Sequence, residues 1–128
     1  MRNTDFSHCT AQEVNFESAD LISCDFTSAT LKSAIFRNSN ISKSTFIGAN
    51  LICIDLFRAC AKDCNFNKAR ILKGNLREGD FENSNFNEAS LYEANLEGSN
   101  LQFCTLTNTN LDRANLSNLR GGLANSQQ

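Results

Sequence analysis

Ala89-Ser90-Leu91-Tyr92-Glu93-Ala94-Asn95-Leu96-Glu97-Gly98-Ser99-Asn100-Leu101 reads small, x, large, then two polar or mixed residues, and repeats without a break. Carried outward in steps of five, the large slot runs from Phe6 to Leu116 and is apolar at all 23 positions. The slot two residues earlier, Thr4 to Ala114, is Ala, Ser, Thr, Cys or Gly at 21 of 23 positions, Val14 and Ile54 being the exceptions. The residue between them is Asp or Asn in 15 of 23 units, so the unit carries its own turn chemistry. Neither a 3.6-residue nor a 2-residue period keeps every fifth residue on one face, which rules out an amphipathic helix and a plain long strand. A chain that turns a corner every five residues does it, with the small and large residues inward and the other three outward.

The length of the full turn is set by which residues stack. A step of 20 puts Phe6, Phe26, Phe46, Phe66 and Phe86 in one column ending at Leu106, with Cys24, Ser44, Cys64, Ser84 and Cys104 in the column of small residues beside it; a step of 15 mixes Phe and Leu. Four units per coil follow, giving between five and six coils and a rod roughly 25–30 Å long at sheet spacing. The absence of proline fits a backbone whose N–H groups are nearly all used by neighbouring coils.

Ala19-Asp20-Leu21, Ala49-Asn50-Leu51, Ala94-Asn95-Leu96 and Ala114-Asn115-Leu116 resemble the A(D/N)LXX unit of the pentapeptide-repeat family. The resemblance implies an all-β fold, a right-handed quadrilateral β-helix without loop insertions over residues 4–118, with 119–128 a short C-terminal cap or frayed tail. Three stretches also resemble the quinolone-resistance (Qnr-type) branch: Leu31-Lys32-Ser33-Ala34-Ile35-Phe36, the consensus-breaking Ile54 to Phe66 segment, in which Ile54 takes a small slot and Ala61 a large one, and Phe103 to Asn115. That likeness implies a non-enzymatic protein that binds bacterial DNA gyrase or topoisomerase IV and protects or modulates it against quinolones or toxins. The alternative is a structural or interaction scaffold with an unrelated protein partner. Qnr-type proteins are longer and carry loops, whereas the phase from Phe6 to Leu116 admits none.

The 128 residues suit one domain, and 41% apolar with 20% charged residues describe a soluble globule with no membrane-spanning run. Twelve Lys and Arg against 14 Asp and Glu argue against direct nucleic-acid binding, and the Met1-Arg2-Asn3-Thr4-Asp5 start sets a cytoplasmic expectation. Six cysteines without a CxxC pair and a single His8 exclude the usual zinc patterns; Cys24, Cys64 and Cys104 read as core filler, and Cys53 and Cys60 as outward. No catalytic constellation and no cofactor motif is present, so the chain reads as not an enzyme.

Charge is banded along the chain, −4 over 1–29, +6 over 30–73, −5 over 74–100 and +1 beyond. Glu78, Asp80, Glu82, Glu88, Glu93 and Glu97 form the third band, a candidate surface for a basic partner. Stacking by 20 places Ile52, Leu72 and Tyr92 above one another on an outward side between Lys32 and Asp112, with Phe57 and Phe103 also outward. The apolar ladder marks a partner surface or, with the coil ends, a route to a homodimer; Leu119 and Leu123 around Gly121-Gly122 are candidates to cover the last coil.

Overall fold

The computed structural model describes residues 1–122. The chain is a β-helix: parallel bridges join residues 20 apart, from Asp5↔Asp25 to Asn100↔Arg120, four per coil and without a skipped unit. We number its sides by their turn residues: side I at 22/23 and every twentieth residue from them, side II at 27/28, side III at 32/33 and side IV at 37/38.

One unit, residues 65–69, shows why the sequence takes this path. Asn65 N–H donates down to Ser44 O (3.0 Å), Phe66 N–H up to Asn85 O (2.7 Å) and Lys68 N–H up to Asn87 O (3.0 Å); Ala69 N–H closes the turn on Phe66 O (3.0 Å). The remaining donor, Asn67 N–H, goes to the side chain of Asn65 at 2.9 Å. All five N–H groups of the unit are therefore used, three between coils and two within the turn, which is what a backbone with little access to water requires. All 15 Asp and Asn residues of this slot make the same bond to the N–H two residues on. Where Cys60 and Thr105 replace them, Ser42 Oγ accepts from Lys62 N–H and Asn87 Oδ1 from Thr107 N–H, both from the coil below.

The second turn residue of each unit is left-handed, with φ between 55° and 63° at 22 non-glycine positions and glycine at Gly48 and Gly98. An L residue there costs roughly 1–2 kcal/mol. The N–H of such residues reaches the next coil, as His8 to Thr27 O at 2.9 Å does, so the strain and the sheet bonding come together.

Inside, the Phe column is a pile of parallel rings. Centroids of Phe6, Phe26, Phe46, Phe66 and Phe86 are 4.8 to 5.1 Å apart with planes within 11°. The column on the opposite corner meets it edge-on, Phe36 lying 5.8 Å from Phe26 at 81°. Phe26, Phe46, Phe66 and Phe86 are fully buried and Leu106 nearly so; Phe6, on the lowest coil, is only partly buried because no coil lies beneath it. The two consensus breaks are absorbed locally. Ile54 and Ala61 are both fully buried. One coil above Ala61 stands Phe81, whose ring takes the space a Cβ at Gly79 would need. One coil above Ile54 stands Gly74, where a Cβ would lie 2.8 Å from Ile71 and 2.9 Å from Leu76.

The small column is more than filler. Cys64 donates its S–H to Ile41 O (3.0 Å) and Cys104 to Phe81 O (2.9 Å). Ser44 and Ser84 use their hydroxyls the same way on Leu21 O and Ala61 O, while accepting from the N–H of Cys24 and Cys64. Cysteine and serine alternate here because both supply one small hydrogen donor. The last bridge is at Arg120, and Gly121 takes φ 74° in a slot that is not left-handed elsewhere, so the chain leaves the coil there. Leu123, a candidate cover for the end, lies outside the described residues.

Candidate functional site

Side III carries the apolar ladder. Ile52, Leu72 and Tyr92 stand in one outward column and are half-buried, between exposed Lys32 and Asp112. The next column is charged: Glu93 sits between Lys73 (4.0 Å) and Arg113 (3.6 Å), so a three-residue ion network borders the ladder. Cys53, in the same column, is exposed.

The acidic residues of the third band are distributed around the rod. Asp80 and Glu82 pair with Lys62 on side I (3.6 and 3.9 Å), Glu93 pairs on side III, and Glu78 and Glu97 pair on side IV with Arg58 (2.8 Å) and Arg77 (4.0 Å). Glu88, on side II, is the member without an ion pair among the described residues. The acidic residues are thus tied to cations one coil below, at Arg58, Lys62, Lys73 and Arg77, and in one case one coil above, at Arg113. These pairs lie at the surface, where water screens them and they exchange readily with a partner's charges. The Arg58 side chain, which donates to Glu78, holds that carboxyl below its ordinary value of 4.5, with Arg77 and Arg120 adding to the effect.

Side IV differs from the sequence expectation most. Phe57, expected outward, is half-buried under three guanidiniums: Arg37 at 4.8 Å, Arg58 at 5.0 Å and Arg77 at 5.0 Å from its ring centre. Arg37 and Arg77 come from the coils below and above, so the ring lies between them, and Arg37 also pairs with Asp55 at 2.8 Å. Above this stack is a cleft of about 540 Å³ over Gly98, lined by Arg58, Arg77 and Arg120, by Glu78 and Glu97, and by Asn118. Arg120 is fixed there by backbone carbonyls, its Nε donating to Gly98 O at 2.9 Å and its Nη2 to Gly79 O at 3.0 Å. Sequence reading missed this cleft, although Arg37, Phe57 and Arg77 share a column at the 20-residue step. The signal was a ring between two cations, with a glycine in a slot normally filled.

Among the described residues there is no His, Cys, Asp and Glu group that would hold a metal ion. Burial pushes the thiols of Cys64 and Cys104 up to about 12, which keeps them protonated and unreactive near neutral pH. Phe103 is 61% exposed in a left-handed slot on side I. No helix in the described residues is long and apolar enough to cross a membrane.

The family model for pentapeptide repeats matches residues 1–38, 24–60, 64–102 and 94–120, in eight copies. The chain belongs to the pentapeptide-repeat family. No curated protein matches the chain. Among solved structures it is similar to HetL, a pentapeptide repeat protein involved in heterocyst differentiation regulation in the cyanobacterium Nostoc (22% identity, TM-score 0.59, 82% of this chain on 46% of that one). It is also similar to Rfr23 from the cyanobacterium Cyanothece (19% identity, TM-score 0.63, 93% on 84%). A looser overlay, TM-score 0.45 at 17% identity, relates 99% of it to 92% of trypsin-treated QnrB1, a plasmid-mediated fluoroquinolone resistance protein. The chain spans about half the length of HetL. At these identities the likeness to HetL and Rfr23 speaks for the fold.

Proposed function

We propose that this chain is a non-catalytic protein-binding rod, right-handed and of between five and six coils, that meets a protein partner through the apolar ladder on side III and through its acidic residues, Glu88 on the adjoining side II among them. The observation that carries this reading is the ladder of Ile52, Leu72 and Tyr92, three outward apolar residues in one column with the Lys73–Glu93–Arg113 network along its edge. An apolar strip rimmed by charge matches the anatomy of a partner surface. The partner we propose is a bacterial type II topoisomerase, gyrase or topoisomerase IV, in the cytoplasm, which the chain modulates or protects from quinolones or toxins. The Qnr-type resemblance of the 31–36, 54–66 and 103–115 segments supports that choice, and the alternative is an unrelated protein bound by the same side.

Gyrase supercoiling, with and without a fluoroquinolone, titrated with the chain at two salt concentrations, tests the proposal. Rescue from the drug or inhibition without it, weakened by salt and by Tyr92→Ala, is the expected outcome. Glu88→Lys and Glu93→Lys should each weaken it too, the first by reversing an unpaired charge, the second by breaking the network on side III. No effect up to tens of micromolar, with no gyrase retained on the immobilised chain, would remove topoisomerase as the partner.

A further inference from the structure

On a different side from the ladder, we propose a second binding site: the cleft over Gly98 on side IV accepts one carboxylate from an acidic peptide. The column at this place runs Arg58, Glu78, Gly98, Asn118, and the missing side chain at Gly98 opens the cleft between Glu78 and Asn118. A side chain is tolerated at 22 of these left-handed positions, so the turn itself does not demand glycine here.

The cations lining the cleft are held in place before any ligand arrives. Arg58 and Arg77 lie over the Phe57 ring, and Arg120 is tied to the carbonyls of Gly98 and Gly79. A guanidinium over a ring keeps its edge donors available, and each carries five N–H groups. Arg58 donates through Nε to Glu78, leaving its terminal nitrogens; Arg77 meets Glu97 only at 4.0 Å, longer than a hydrogen bond. Three guanidiniums against two carboxylates leave one net positive charge. A single carboxylate neutralises it, whereas a phosphate, carrying roughly −1.5 to −2 at neutral pH as a monoester, overshoots. The volume, about 540 Å³, admits an acidic side chain with its flanking backbone.

The test follows the Nε–Hε signals of Arg58, Arg77 and Arg120 by NMR in the full chain. The probe is the blocked tripeptide acetyl-Gly-Glu-Gly-amide, set against acetyl-Gly-Gln-Gly-amide, acetyl-Gly-Gln-Gly with a free terminal carboxylate, and inorganic phosphate. Saturable shifts at the three arginines with a carboxylate peptide and none with the neutral one are expected. Binding of the Glu peptide assigns the carboxylate to a side chain, binding of the free-acid peptide to a chain end, and either carries the proposal. Arg77→Gln should weaken binding about tenfold, the loss of one hydrogen bond to a charged group. Gly98→Asn, which copies Asn38 and Asn118 of the same column and so preserves the turn, should abolish it by filling the cleft. Phosphate binding more tightly than either carboxylate peptide, no saturable shift, or unchanged affinity in both variants with wild-type melting would overturn the proposal.

Discussion

Sides III and IV are built on the same turn, the same pitch and the same backbone bonds between coils, yet they treat an outward aromatic or aliphatic column in opposite ways. On side IV, Phe57 is closed in by Arg37, Arg58 and Arg77, and the ring is spent on holding cations. On side III, Ile52, Leu72 and Tyr92 follow one another, no cation–ring contact is made to Tyr92 among the described residues, and the ion network lies in the next column. The backbone is indifferent to this choice, because the bonds between coils and the one that closes the turn run between main-chain groups and use no outward side chain. Outward residues are therefore free to differ, and inward ones are not.

The contrast can be broken most forcefully from inside. Phe66→Ala removes a ring stacked on Phe46 and Phe86 and edge-on to Phe81, and should cost about 3–5 kcal/mol in urea unfolding. A loss below about 1 kcal/mol would mean that the ring pile is not what holds the coils together.

Next in size is the alkaline limb. The buried thiols of Cys64 and Cys104 ionise near 12 when folded and near their ordinary value of 9.0 when unfolded. Above pH 9 the unfolded chain holds fewer protons, so these groups' contribution is full below 9 and falls as pH rises toward 12. The slope is about 1.4 kcal/mol per pH unit for each thiol, and unfolding curves at pH 8 and 10.5 measure it. Cys64→Ser with Cys104→Ser, which copies Ser44 and Ser84, should flatten that limb.

A smaller difference separates the two sides themselves. Phe57→Ala should cost about 1–2 kcal/mol, through lost burial and released cations, while Tyr92→Ala should stay under about 1 kcal/mol and act on partner binding instead. Smallest is an electrostatic readout on side IV: Glu78 should titrate below 4.5 by carbon-detected NMR, and Arg58→Gln should return it upward. Whatever stability this pair adds is present above the ordinary carboxyl value and lost as pH falls through the lowered one.

Much of this was legible in the sequence. The pentad period, the 20-residue stacking and the corner role of Asp and Asn could be read directly because almost every inward slot keeps its size and 15 of 23 units carry the Asp or Asn that bonds the turn. The outward side was legible only in part. Summing charge into bands hid the fact that Arg58 and Glu78, Lys73 and Glu93, and Arg77 and Glu97 stand one coil apart and pair. The burial of Phe57 depends on long arginine side chains folding back along the surface, which no period encodes. The Cys and Ser alternation was visible, but its cause, a shared need for one donor to a carbonyl, required the coil geometry.

Leu72 and Leu76 offer the most direct test, being the same residue type four positions apart in one coil, one outward and half-buried, the other inward and fully buried. Urea unfolding of Leu72→Ala and Leu76→Ala should give a loss of about 2–5 kcal/mol for the inward site and under about 1 kcal/mol for the outward one. Equal losses would contradict the division between columns that fold the chain and columns that are free to bind.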